Sequence, residues 1–176
     1  MLLTVTIGLG YEVAARSIPF ERQAGFWVRV APVRGIQYCA AKLMGSTLVA
    51  GPIVVLVGAS FVLVRPVALH AVSETAPLLL AALLLSQATG LWAGARFGDP
   101  AWVNPRAMLR FTGRVVASVL VLVQLAGWLA AFYYLDIVEP GARTILVPAL
   151  VAAALAIATV PIWVTAKRFQ TLDWPG

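Results

Sequence analysis

Four long segments without a single charged residue constrain this chain more than any other feature of its sequence. They cover residues 43–64, 76–95, 115–135 and 145–166. About 20 mostly apolar residues are enough for a helix to cross the hydrocarbon core of a bilayer. The chain is also 61% hydrophobic and 11% charged, whereas soluble domains are about 45–50% apolar and about 25% charged. We therefore predict an all-α fold, a polytopic transmembrane helical bundle.

A fifth apolar segment covers residues 1–15 and is shorter, with Glu12 inside it. We predict that it forms a partial span, either tilted or incomplete, with a re-entrant piece or the remnant of a longer span as the alternatives. The whole chain, 1–176, is then a single transmembrane domain with four full spans plus one short N-terminal apolar segment.

The basic residues alternate between the connections and so predict an orientation. There are 5 Lys or Arg residues in connection 16–42, 4 in connection 96–114 and 2 in the C-terminal tail. In contrast, there is only 1 in each of the connections 65–75 and 136–144. Positively charged connections stay in the cytoplasm. We predict a multi-pass protein of the plasma (cytoplasmic, or cell inner) membrane with a cytoplasmic C-terminus. Since topology explains the basic excess, no nucleic-acid partner is expected.

Residues for catalysis or metal binding are scarce. The chain has one cysteine, Cys39, and one histidine, His70, so neither a disulfide nor a clustered metal site is expected. The G-x-x-x-x-G-K-[ST] phosphate loop is absent from the sequence. We expect no catalytic residues, no metal and no cofactor in this chain.

A few residues within the spans predict how the helices pack. The amides of Gln87 and Gln124 need partners in lipid, so we predict hydrogen bonds between helices, with the lining of a substrate path as the alternative. Small residues such as Gly51, Gly58 and Gly90 favour close helix contact. That contact is expected within the chain, and a dimer face is the alternative.

The segment 17–34 predicts a cytoplasmic amphipathic helix at the membrane surface. Ser17 is a plausible N-cap and Pro19 suits the first turn. Phe20 and Trp27 alternate with arginines, as in helices that lie in the interface with basic side chains on lipid phosphates.

The order of residues in and after this segment resembles a pattern of the ABC-2-type export permeases. Glu21 and Gly25 match an E-x-x-x-G stretch of that family, Pro32 matches the turn after it, and Lys42 matches the Lys that opens the next membrane helix. In the family, the stretch forms the coupling helix that docks on an ATPase subunit. The resemblance therefore implies an ATPase-docking region made of Glu21, Arg22, Gly25, Trp27, Arg29 and Pro32.

The connection 96–114 resembles the loop after the fourth helix in large bacterial permeases of this class, where F-P-x-F, E-N-P and G-G patterns are common. The residues that carry the likeness are Phe97, Asp99, Asn104, Pro105 and Gly113, and Gly98 stands where the family has proline. Family domains have six helices per half. The resemblance covers essentially the whole chain, which we expect to correspond to the C-terminal portion of a permease half.

The resemblance implies the membrane-spanning permease subunit of an ATP-driven ABC-type exporter. The chain itself would not be an enzyme, because ATP hydrolysis would reside in the ATP-binding cassette subunit. A second permease chain, identical or different, and the lipid bilayer are the other implied partners. The alternative is a small structural or assembly subunit of a larger membrane complex, which needs only packing faces and a basic inner surface.

Overall fold

A computed structural model describes residues 1–24, 33–64, 68–99, 102–103 and 108–169. Within these residues the chain forms five α-helices: α1 (Leu2–Ser17), α2 (Gly35–Val64), α3 (Leu69–Phe97), α4 (Phe111–Ile137) and α5 (Pro140–Phe169). A short 3₁₀ helix, Pro19–Ala24, follows α1 directly. The prediction of an all-α bundle is confirmed.

Four of these helices, α2 to α5, are long and apolar enough to cross a membrane. They contain the predicted spans and run past most of their ends, since a helix can continue into the headgroup region where Lys and Arg side chains reach water. The chain is thus a multi-pass integral membrane protein. Helix α1 has 16 residues, or roughly 24 Å of length at the α-helical rise, so the partial span of residues 1–15 remains a prediction.

Helix α3 is the centre of the bundle. In its most apolar stretch 72% of the residues are buried, against 6% in α2, 11% in α4 and 17% in α5. It packs on all four other helices, most extensively on α1 and α5. The outer helices expose their aliphatic side chains, as expected where lipid is the solvent.

Small residues bring α1 and α3 into close contact. A methyl group added at Gly94 would clash with the carbonyl of Ala15, and one added at Gly90 would lie 2.5 Å from the carbonyl oxygen of Tyr11. Gly10 likewise lies against the side chain of Ser86. Packing within the chain is therefore confirmed for Gly90. Gly51, in contrast, faces only the methyl of Thr47 on its own helix.

The start of α2 lies beside the ends of α1 and α5. Lys42 donates a hydrogen bond of 3.0 Å to the carbonyl of Ser17, the last residue of α1. The ring of Tyr38 stacks on that of Phe169 with 4.3 Å between centroids. The connection between α3 and α4 joins the same end through contacts given below. The three Arg- and Lys-rich parts of the chain therefore meet at one end of the bundle, here called the basic end.

Arg143 holds the opposite end together. Its guanidinium donates to the backbone carbonyls of Asp136 and Val138, at 3.0 and 3.2 Å, and lies 4.0 Å from the carboxylate of Glu74. A cation placed on the last carbonyls of α4 complements the negative end of that helix. One residue thus links the start of α3, the end of α4 and the start of α5.

The close contact of α1 with α3 predicts that Gly94→Ala lowers stability. The added methyl must push apart two backbones, and overpacking of this kind costs about 1–3 kcal/mol. The matched control is Gly45→Ala in α2, where an added methyl meets nothing within 4 Å. The control should unfold at the same temperature or slightly higher, because Ala favours the helix. Thermal unfolding in mild detergent measures both, and equal melting temperatures would contradict the proposed contact.

Candidate functional site

The basic end contains residues 17–24, the described start of the segment that the family resemblance assigns to partner docking. Helix α1 continues through Ser17, whose hydroxyl donates to the carbonyl of Ala14 at 2.7 Å. The prediction that Ser17 caps a new helix is therefore wrong. Pro19 follows, and residues Pro19–Ala24 form the tighter 3₁₀ helix, with the amide of Glu21 bonded to the carbonyl of Ile18. Short 3₁₀ turns of this kind are common connectors at helix ends.

The carboxylate of Glu21 points into the protein. It accepts a hydrogen bond of 2.6 Å from the hydroxyl of Tyr38 and lies 2.5 Å from the ammonium group of Lys42. The side chains of Glu21 and Lys42 are each 19% exposed. Charge-assisted contacts in such a sheltered place are stronger than those at an open surface. Through this ion pair and hydrogen bond, Glu21 connects the 3₁₀ helix to the start of α2.

Lys42 and Tyr38 also make contacts with other elements of the chain. Lys42 also binds the carbonyl of Ser17, and Tyr38 stacks on Phe169 at the end of α5. We call these three side chains, Glu21, Tyr38 and Lys42, the anchor. The anchor connects the 3₁₀ helix with α1, α2 and α5. The 3₁₀ helix is therefore bonded directly to α2 and connected to α5 through Tyr38.

The second connection docks on the first. The indole nitrogen of Trp102 donates a hydrogen bond of 2.9 Å to the carbonyl of Pro19. The ring centroids of Trp102 and Phe20 lie 6.3 Å apart. An isolated β-bridge between Gly98 and Leu109 closes the described part of this connection. The described parts of the two connections therefore form one surface, on which Phe20 is 67% exposed and Val103 is 92% exposed.

Only part of the predicted docking region is described by the structure. Glu21 lies in the anchor. The rest of the predicted region lies outside the described residues: the side chain of Arg22, and Gly25, Trp27, Arg29 and Pro32. Of the residues that carry the second resemblance, Phe97 packs against Gly113, whereas Asn104 and Pro105 also lie outside.

The two amides in the spans bond between helices, as predicted. The carbonyl oxygen of Gln87 in α3 accepts from the hydroxyl of Thr47 in α2 at 2.8 Å. The amide nitrogen of Gln124 in α4 donates to the hydroxyl of Thr89 in α3, also at 2.8 Å. One atom of each amide, Gln87 Nε2 and Gln124 Oε1, is buried without a partner. The lining of a substrate path by these residues remains a prediction.

Gln124 also lines a groove between α4 and α5. Both helices pack on α3 and have little contact with each other. The groove that this leaves between them has a volume of about 200 Å³. Uncharged residues line it: Leu85, Gln124, Gly127, Trp128, Ala131, Leu150, Ala153, Ala154 and Ile157. Gln87 is not among them.

Sequence reasoning missed Tyr38, Phe20 and Trp102 as parts of the site. Tyr38 precedes Lys42 by four residues, so both lie on one face of α2, and this spacing was the available signal. The bond of Trp102 to Pro19 joins residues 83 positions apart. No local pattern indicates such a contact.

Comparison of the chain with known protein families, with curated proteins and with solved structures found no match.

The anchor predicts non-additive effects of substitution. Glu21→Gln and Lys42→Met should each lower the free energy of unfolding by about 1–3 kcal/mol, because each leaves a sheltered charge without its partner. The double substitution should lose less than the sum of the two. The free energy of unfolding in mild detergent is measured for the natural chain, the two single variants and the double variant.

The control is the exposed pair Glu12–Arg16, whose side chains are 54% and 47% exposed. Glu12→Gln should change stability little, because exposed ion pairs contribute little. Additive losses in the Glu21–Lys42 cycle would show that the two groups do not act together.

Proposed function

We propose that the chain is the membrane-spanning permease subunit of an ATP-driven ABC-type exporter. The order Glu21, Gly25, Pro32 and Lys42 supports this, because it follows the coupling pattern of the ABC-2-type permeases. A separate ATP-binding cassette subunit would hydrolyse ATP. A second permease chain, identical or different, would complete the path, and the segment 17–34 would couple to the ATPase.

The order of these four residues carries the proposal, and the anchor gives the proposed coupling a structural route. A coupling segment must pass the motion of the ATPase to the membrane helices. Glu21 joins the segment to α2 through Lys42 and Tyr38, and Tyr38 reaches α5 through Phe169. In this mechanism Glu21 is a positioning residue that transmits force, and the ATPase binds other residues of the segment, with Arg22, Trp27 and Arg29 as the proposed contacts.

The orientation belongs to the same proposal. The basic end would face the cytoplasm, with the C-terminus on that side and the chain in the plasma (inner) membrane, because Lys- and Arg-rich connections resist translocation. The ATPase then has access to the surface that Phe20 and Val103 expose. Gln87 and Gln124 are the proposed path-lining positions, and each retains one unused polar atom.

One observation favours the alternative, a structural or assembly subunit of a larger membrane complex. The amides of Gln87 and Gln124 are both engaged in bonds between helices. A subunit that only packs against neighbours needs such bonds and no polar path.

Copurification from the native cells in mild detergent distinguishes the two. We expect a P-loop ATPase to copurify with the full chain. The variant Trp27→Ala with Arg29→Glu should reduce ATPase recovery by about ten-fold, since losing two interface contacts of this kind costs roughly 1.4 kcal/mol or more. Glu21 is left intact because its substitution would also break the anchor.

Lys167→Glu is the control, because it reverses a charge at the same end of the bundle outside the docking segment. It should leave the recovery of the ATPase unchanged. Recovery of an unrelated membrane assembly without an ATPase would support the alternative. An ATPase that binds the Trp27→Ala, Arg29→Glu variant as well as the natural chain would overturn the docking assignment.

A further inference from the structure

We propose that the groove between α4 and α5 binds an uncharged lipid, with one alkyl chain in the cleft and a carbonyl or hydroxyl oxygen on the indole N–H of Trp128. The inference does not depend on the proposed transport function. It rests on the shape of the groove, its depth in the membrane and the polar atoms on its wall.

The groove is open space between two helices that both pack on α3 but have little contact with each other. A methyl group added at Gly127 would meet nothing within 4 Å. The cleft of about 200 Å³ has the side chain of Leu85 among its lining and apolar residues of α4 and α5 on its sides. Bilayer lipids have access to it from the side because α4 and α5 barely touch. An apolar chain is the group that such a lining accommodates.

Trp128 lines the groove and carries a hydrogen-bond donor, the N–H of its indole ring. Its side chain is only 6% exposed. Within the described part of the chain its indole nitrogen donates to no acceptor, yet that nitrogen is not fully enclosed by protein. A buried indole N–H usually has a partner, and in hydrocarbon water cannot provide one. A ligand oxygen would satisfy it.

The depth of the groove selects an uncharged ligand. Tyr133 and Tyr134 are 71% and 53% exposed and mark the interface at the end of α4. Trp128 lies six residues before Tyr134, about 9 Å deeper at the α-helical rise, and Gln124 lies about 15 Å deeper, near the bilayer centre. None of the lining residues is charged. A charged headgroup at this depth would lack a counterion, whereas an ester or alcohol oxygen needs only a donor.

Photolabelling with a matched pair of probes tests the proposal. One probe is the methyl ester of a long-chain fatty acid with a diazirine in its chain, and the other is the diazirine alkane of equal length without oxygen. The purified full chain in lipid vesicles is labelled with each, and the modified peptides are identified by mass spectrometry. We expect saturable labelling by the ester within residues 124–131 and 150–157, stronger than labelling by the alkane.

Two variants and one control make the result specific. Gly127→Leu fills the groove and should reduce ester labelling there by about ten-fold, whereas Gly45→Leu, at an equally open position of α2, should not change it. Trp128→Phe keeps the ring but loses the N–H. It should reduce the preference for the ester over the alkane by about five-fold, the value of one hydrogen bond.

Three results would overturn the proposal. Labelling spread evenly over the exposed faces of α2 and α4, and unaffected by Gly127→Leu, would indicate bulk lipid only. An ester preference that persists in Trp128→Phe would exclude the indole as the donor. Cross-linking between two copies of the chain through cysteines placed at Ala131 and Ala153 would make the groove an interface between protomers.

Discussion

Hydrocarbon offers no hydrogen-bond partner, and this constraint governs the rest of the structure. Each backbone group must be satisfied within its own helix, so the chain is all-α. Apolar side chains gain nothing by leaving lipid for protein, so helices associate where backbones can approach closely. Gly90 and Gly94 allow that approach for α1 and α3. The central position of α3 follows from these contacts, and the other three long helices keep most of their apolar surface for the bilayer.

Charges are confined to the ends of this bundle, and one end uses them to connect elements. At the basic end, the Glu21 carboxylate holds the 3₁₀ helix against α2 through Lys42 and Tyr38. The same contacts would transmit force in a transporter and would simply fix the connection in an assembly subunit. The proposed functions therefore differ in which partner binds the segment 17–34. The anchor itself is common to both.

The spans and the separation of basic from non-basic ends could be predicted from the sequence, because charge-free runs and clusters of arginine are local patterns. The need of Gln87 and Gln124 for partners was also predictable from their place in lipid. Their partners, Thr47 and Thr89, were not, since hydropathy does not fix the rotation of a helix that is apolar on all sides. The prediction that Ser17 is a cap is wrong, because nothing in the local sequence shows that α1 runs through this residue. The anchor depends on the chain folding back, which spacing alone does not reveal.

The central claim is that four helices cross the bilayer and that the basic end lies in the cytoplasm. Single cysteines, introduced into a Cys39→Ala background by Ser73→Cys, Glu139→Cys, Arg34→Cys or Val103→Cys, test it in intact cells. A membrane-impermeant maleimide should label positions 73 and 139 at once, and positions 34 and 103 only after the membrane is permeabilised. Labelling of positions 34 and 103 in intact cells would contradict the account.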